Sequence, residues 1–254
     1  MSNFRLIARL DIKNSNLIKG VQFEGLRVLG DPNTFAQRYY NQGIDELLYI
    51  DSVASLYGRN HLASLIKSAT KNIFVPITVG GGIRTLDDAS RILKSGADKV
   101  AINTGAVKNP TLLKDIAEHF GSQSLVLSIQ SRKVGKGKWE TYIESGREKT
   151  GIDVVDWVAK AINLGVGELL LTSVDRDGTK KGLDLELIEE VGKICTIPMI
   201  VGGGIASAQD IIMAHKLGAN ASAIASVLHY NECSILDLKN SLIDKEMGIR
   251  KIAY

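Results

Sequence analysis

Two glycine triplets are the first residues in this chain whose type and spacing could do chemistry. Gly80-Gly81-Gly82 follows the apolar run Val75-Pro76-Ile77-Thr78-Val79, and Gly202-Gly203-Gly204 follows Ile197-Pro198-Met199-Ile200-Val201. Bare backbone N–H groups between a buried strand and a helix favour an anion, phosphate above all. One isolated triplet would read as a tight turn. Here each is followed, one unit later, by a small hydroxyl residue, Thr104 or Ser226. Two matched phosphate sites are therefore expected, with a ligand bearing two phosphates as the natural occupant. Asp11 closes the run Arg5-Leu6-Ile7-Ala8-Arg9-Leu10, with Lys13 and Lys19 close behind it. It is a candidate general acid or base, since a partly buried carboxyl can move toward neutrality. The corresponding run, Leu125-Val126-Leu127-Ser128-Ile129-Gln130, ends in an amide that cannot exchange a proton near neutral pH. Residues two apart on a strand share a face, so Arg9 points where Asp11 points and can pair with it, holding its pKa down. Asp51, Asp175 and Asp177 also end apolar runs or open the loops after them. Asp175 or Asp177 could contact sugar hydroxyls and Gly178 could offer backbone to phosphate, although Asp-Gly is equally a turn pair.

The elements that must position these residues come as a repeat. The segment Val75–Arg84 returns at Ile197–Ala206, a separation of 122 residues from Val75 to Ile197. The flanks keep that separation: Glu46-Leu47-Leu48 returns as Glu168-Leu169-Leu170, Gly96-Ala97-Asp98 as Gly218-Ala219-Asn220, and Ala101–Thr104 as Ala223–Ser226. Eight short apolar runs, near 5–11, 46–51, 76–80, 98–103, 125–130, 168–173, 198–202 and 221–225, alternate with amphipathic stretches. In one of these, Leu86, Ala89, Ile92 and Leu93 share a helical face. The pattern predicts an α/β fold, a (β/α)8 TIM barrel in one domain, built from half-barrels of about 1–122 and 123–254. In such barrels the loops after strand C-termini build the active site. The longest, Lys13 to Asp31 and Ser131 to Gly151, are read as loops at that mouth. At the opposite end Arg5, Glu46, Lys99 and Glu168 begin strands and could form a ring with two charges of each sign. Charge there ordinarily serves stability.

Composition narrows the classes. The chain has 254 residues, 44% of them hydrophobic and 23% charged, which excludes a disordered chain. A net charge of +3 with interspersed signs excludes a nucleic-acid surface but leaves small anionic ligands open. Cys195 and Cys233 have neither metal-site nor disulfide-framework spacing, so no metal and no cofactor are expected and a reducing cytoplasm is. There is no apolar signal core and no run long enough to span a membrane. A cytoplasmic protein is expected.

Taken together, the segments resemble the cyclase subunit of imidazole glycerol phosphate synthase, from about Phe4 to Tyr230. The resemblance is carried by Leu10-Asp11-Ile12-Lys13, Lys19-Gly20-Val21, Gly30-Asp31-Pro32, Val79-Gly80-Gly81-Gly82-Ile83, Gly96-Ala97-Asp98-Lys99-Val100, Phe120-Gly121-Ser122-Gln123, the run Leu171 to Thr179, and Ala225-Ser226-Val227-Leu228-His229-Tyr230. It implies a barrel that pairs with a separate glutaminase subunit as a heterodimer and takes ammonia through its centre. The ammonia splits a bis-phosphorylated ribosyl intermediate, giving imidazole glycerol phosphate and an aminoimidazole ribotide. It further implies an ammonia gate at Arg5, Glu46, Lys99 and Glu168, and a glutaminase-facing rim at Asp98 and Gln123. Gly82, Asn103 and Thr104 would bind one phosphate, and Gly178, Gly203, Gly204 and Ser226 the other, with Lys19, Asp51, Thr172 and Asp177 completing the ligand contacts.

The top of the barrel departs from that pattern. Asp11 matches one of two catalytic aspartates, and Gln130 stands at the other. Arg9 replaces a small residue, and Gly202 a serine. A kept gate with a changed acid–base pair resembles the paralogous branch of the family. That branch is linked, through a dedicated glutaminase and a third, amide-transferring protein, to amidation of sugars in bacterial surface polysaccharides such as lipopolysaccharide. The alternative is a true histidine-biosynthesis cyclase, in which Gln130 orients substrate and Asp11 remains. A phosphoribosyl isomerase would want an acid–base pair and no gate, and a scaffold subunit would need no phosphate loops.

Overall fold

The computed structural model describes residues 3–54, 62–243, 245 and 247–251. Twelve strands form one sheet: β1 (Arg5–Lys13), β2 (Asn16–Val21), β3 (Glu24–Gly30), β4 (Glu46–Asp51), β5 (Ile77–Gly80), β6 (Lys99–Ile102), β7 (Leu125–Gly135), β8 (Lys138–Ile143), β9 (Glu148–Asp153), β10 (Glu168–Ser173), β11 (Met199–Gly202) and β12 (Ala221–Ile224). The eight barrel strands β1, β4, β5, β6, β7, β10, β11 and β12 pair in parallel, and the β12–β1 and β7–β10 ladders close the cylinder. Helices on the outside complete a (β/α)8 barrel, as the alternating pattern predicts. Among the described residues no helix is long and apolar enough to cross a membrane.

The two halves share local backbone chemistry as well as sequence. Asp98 Oδ2 accepts the Ile77 N–H at 2.8 Å, and Asn220 Oδ1 accepts the Met199 N–H at 2.8 Å. Thr85 and Asp88 form a capping box that Ser207 and Asp210 repeat. Asp31 and Asp153 each cap the helix that follows. The residues before the hydroxyl positions adopt nearly one conformation, φ −119°, ψ −83° at Asn103 and φ −132°, ψ −80° at Ala225.

Strand alternation sorts the barrel strands into two faces. Leu6, Ala8, Leu10 and Ile12 of β1 pack outward in the main core under the helices, whereas Ile7 joins Leu48, Ala101, Val126, Leu170 and Ile200 in a second cluster inside the cylinder. Polar and charged side chains lie above and below this inner layer.

The two long connections are not loops. β2 pairs antiparallel with β1 and with β3, and β8 pairs antiparallel with β7 and with β9. β1 and β7 thus run past the barrel rim into ribbons that stand over the mouth. The second turn of each ribbon hides from sequence because left-handed backbone there is carried by Gln22 and Phe23 (φ 52° and 65°) and by Glu144 and Ser145 (φ 49° and 59°), where the usual hairpin signal is Asn-Gly or Asp-Gly; the first turns carry Asn14 and Gly137 (φ 58° and 65°).

Glycine is required at Gly81: φ is +100°, and an added Cβ would stand 2.3 Å from the Asp51 carbonyl oxygen. Gly25, at φ +60°, has nothing within 4 Å of that point. Gly81→Ala is therefore expected to destabilise the protein by about 2 kcal/mol more than Gly25→Ala, since both incur left-handed strain but only the first overpacks against backbone. Urea denaturation of the two variants checks this, and equal midpoints would contradict it.

Candidate functional site

At the N-terminal end of the barrel the four strand-opening charges close into a ring. Arg5 donates to Glu46 and to Glu168 at 2.6 Å each, and Lys99 donates to Glu168 at 2.8 Å and to Glu46 at 3.3 Å. Each carboxylate bridges two cations, and both are nearly buried. Burial opposes the Arg5 charge, but Glu168 and Glu46 more than offset it and raise its pKa. The charges thus plug the inner end of the cylinder without an unpaired ion. Asp98 and Gln123 sit on the same rim and are exposed, although Asp98 also spends one oxygen on the Ile77 N–H.

The opposite mouth carries a buried quartet. Arg9 Nε donates to Asp11 Oδ1 at 2.9 Å and Nη1 to Thr172 Oγ1 at 3.1 Å. Lys19 Nζ lies 2.6 Å from Asp177 Oδ2 and 3.9 Å from Asp11 Oδ2. All four charged side chains are buried. Burial alone would push the Asp11 carboxyl up, but the Arg9 guanidinium and the Lys19 ammonium outweigh it and hold the group below the usual carboxylate range. Of the two directions open in the sequence, the pairing with Arg9 holds and the move toward neutrality does not: Asp11 is an ionised partner of Arg9, a poor proton donor at neutral pH. Behind it, burial pushes the His229 imidazole down to about 4, and its Nδ1 lies 2.6 Å from the Tyr39 hydroxyl.

Around the quartet the mouth divides into three adjoining cavities. The first-half cavity is lined by Asp51, Gly81, Gly82, Asn103, Thr104 and Gln130 among others. The central one is lined by Arg9, Asp11, Lys19, Phe23, Gln130 and Arg147 among others. The second-half cavity is lined by Arg9, Asp177, Gly178, Gly203, Gly204 and Ser226 among others. Gln130 thus stands between the first and central cavities, and Arg9 between the central and second. Gln130 Oε1 is buried and accepts no hydrogen bond among the described residues, so this amide is positioned without being tied down.

The glycine loops share one backbone geometry. Gly81, Gly82, Gly203 and Gly204 all have positive φ, between 72° and 101°, which turns successive N–H groups toward one point. Thr104 Oγ1 accepts the Glu144 N–H at 3.1 Å, which leaves its own hydrogen to donate. The structure also reassigns neighbours. Asp51 Oδ1 accepts from the Val53 and Ala54 N–H groups, so it shapes the turn as well as lining the cavity. Thr172 faces the barrel interior and receives Arg9. Asp175 anchors the second ribbon by accepting the Lys133 N–H at 2.8 Å. Sequence reasoning missed Phe23, Ser145 and Arg147, which the ribbon turns bring over the central cavity. The one available signal was Gly146, whose added Cβ would stand 2.9 Å from the Phe23 ring.

A closed (β/α)8 barrel with two matched glycine loops at one mouth and a paired charge ring at the other defines a TIM barrel of two similar halves. The histidine biosynthesis protein family matches residues 5–234, and this chain belongs to that family. It is 58% identical over 210 residues to imidazole glycerol phosphate synthase subunit HisF of Legionella pneumophila, covering 83% of this chain and 99% of that one. It is 45% identical over 248 residues to the subunit of the same name from Alkaliphilus metalliredigens (strain QYMF), 97% and 98% of the two chains. For the Streptococcus mutans subunit the identity is 44% over 246 residues, 96% and 97% of the two chains.

Removing one partner of a buried ion pair leaves an uncompensated charge, so Arg9→Met is expected to cost about 3–5 kcal/mol at pH 7, and Arg9→Met/Asp11→Asn clearly less than the sum of the single changes. Because the folded pKa of Asp11 is depressed, its contribution is present above the ordinary value of 3.8 and is lost as pH falls through the folded value. The stability gap between wild type and Arg9→Met should accordingly narrow below that range. Denaturant titrations across pH measure it; a gap that widens in acid contradicts the pairing.

Proposed function

We propose that this barrel is the ammonia-receiving subunit of a two-protein glutaminase complex and holds a phosphorylated ligand at its C-terminal mouth. We further propose that it serves the amidation of a polysaccharide sugar through a third, amide-transferring protein, and that the complex works in the cytoplasm. The observation that carries the reading is the contrast between the two ends. The four-charge ring matching the family's ammonia gate is intact. At the mouth, the position of the second catalytic aspartate holds Gln130, and Asp11 is committed to Arg9 and Lys19. Loss of one acid–base group usually removes about two to four orders of magnitude of rate. Arg5, Glu46, Lys99 and Glu168 would pass ammonia, Asp98 and Gln123 would meet the glutaminase, and Gly82, Asn103, Thr104, Gly178, Gly203, Gly204 and Ser226 would hold phosphate. Lys19, Asp51, Thr172 and Asp177 would order the surrounding contacts.

The names of the relatives favour a second reading, a complete imidazole glycerol phosphate synthase subunit in which Gln130 orients the substrate. Ammonia-dependent turnover of the bis-phosphorylated ribosyl intermediate separates the two. The amidation reading expects turnover at background for the wild type and at least about a tenfold gain in Gln130→Asp. Rapid turnover by the unmodified chain would establish the cyclase reading instead. For the rim, Asp98→Arg/Gln123→Arg should weaken glutaminase binding at least about tenfold, as a repulsive change at a docking face does; unchanged affinity by calorimetry would move the partner elsewhere.

A further inference from the structure

The second-half cavity differs from the first by a buried cation. The repeat places Arg84 beside the first glycine loop, where it lines that cavity, but its counterpart beside the second is Ala206. Arg9 reaches the second cavity from β1 instead. Two of its three guanidinium nitrogens are engaged, Nε on Asp11 and Nη1 on Thr172. Nη2 donates to no protein atom among the described residues. The other charged groups lining this cavity are already neutralised: Asp177 by Lys19 at 2.6 Å, and Lys180 by Glu232 at 2.5 Å.

Gly202 lies beside this arrangement. A Cβ there would stand 3.2 Å from the Ala223 carbonyl oxygen and 3.9 Å from Thr172 Oγ1, the atom that receives Arg9. A serine at that position, as the resemblance implies for relatives, would press on the Ala223 carbonyl and offer a hydroxyl within ordinary contact of Thr172. The hydroxyl lost at Gly202 is exchanged for a charged donor that enters from the barrel axis.

We infer that Arg9 is a specificity-determining anion ligand of the second-half cavity, where its Nη2 donates to the phosphoryl group of a phosphate monoester seated on Gly178, Gly203, Gly204 and Ser226. The monoester is drawn toward the barrel axis, because Arg9 also lines the central cavity. Its remaining polar part then lies beside Asp11, Lys19 and Gln130. This inference rests on the phosphorylated-ligand part of the proposed function and names the residue that selects the ligand.

The test uses inorganic phosphate, titrated into the full chain while amide shifts of Gly178, Gly203, Gly204 and Ser226 are followed beside those of Gly82 and Thr104. Arg9→Ala/Asp11→Asn removes the cation without leaving a buried carboxylate unpaired, and Arg9→Lys keeps the charge but not the fork. The double variant should bind phosphate at the second cavity about ten- to a hundredfold more weakly, the range of a charge-assisted hydrogen bond, with Arg9→Lys intermediate. The first cavity should change less than about threefold, since no contact of Arg9 reaches it. If the folded double variant retains wild-type affinity at the second cavity, Arg9 is a counter-ion for Asp11 alone and the inference falls. Phosphate that shifts only the first set in the wild type also overturns it, leaving the proposed function standing. Phosphate that shifts neither set overturns both.

Discussion

The mouth of this barrel depends on four buried charges that sum to zero. Arg9 and Asp11 lie on β1, Lys19 on the adjoining ribbon strand β2, and Asp177 on the turn after β10. Each ion alone would cost several kcal/mol to bury. Together they tie a barrel strand, its ribbon and a distant turn into one arrangement. The same turn is fixed by backbone: Gln22 N–H donates to the Asp177 carbonyl at 2.8 Å, and Gly178 packs where any Cβ would stand 2.3 Å from the Gly20 oxygen. The quartet thus sets where the first ribbon stands, and with it the position of Phe23, over whose ring the Arg9 guanidinium lies at 5.4 Å.

The opposite end solves the same problem differently. Its ring alternates sign around the cylinder, so each charge has two opposite neighbours and the plug has no preferred side. The quartet above is lopsided, with Asp11 between two cations and a guanidinium nitrogen left over. Between them lies an apolar layer of Ile7, Leu48, Val126, Leu170 and Ile200. Strand β1 supplies all three levels by simple alternation, Arg5 to the ring, Ile7 to the layer, and Arg9 with Asp11 to the mouth. The charge ring, the apolar layer and the polar mouth are therefore all served by one strand's inward face.

Much of this was legible in the sequence, because the repeat is enforced by backbone requirements that only certain residues meet. The glycine triplets, the hydroxyl positions and the strand-opening charges fall where their spacing predicts, and Arg9 pairs with Asp11 as two-residue periodicity requires. The ribbons were legible only in part: Asn14 and Gly137 mark the first turn of each, but the second turns place Gln22, Phe23, Glu144 and Ser145 in left-handed backbone, residues that do not advertise a turn. Phe23, Ser145 and Arg147 were missed with them, because the cavity they cover is assembled only when the ribbons fold back. The direction of the Asp11 shift was open in the sequence, which offered both burial and an Arg9 partner. Burial was foreseeable from its strand, but Lys19 reaches it only through the hairpin, and two cations reverse the direction that burial alone would give.

Gln130 is best understood against that balance. It faces the central cavity opposite Asp11, with a buried carbonyl oxygen that no described residue satisfies. A carboxylate in its place would set three anions against two cations in a half-buried site, and the crowding would push at least one of the carboxyls upward. Here Arg9 has taken up the charge of Asp11, so a second carboxylate would have only Lys19 left to share with Asp177, while a neutral amide leaves the quartet balanced. The amide at 130 and the arginine at 9 are thus compatible parts of one electrostatic balance, in which Asp11 stays ionised.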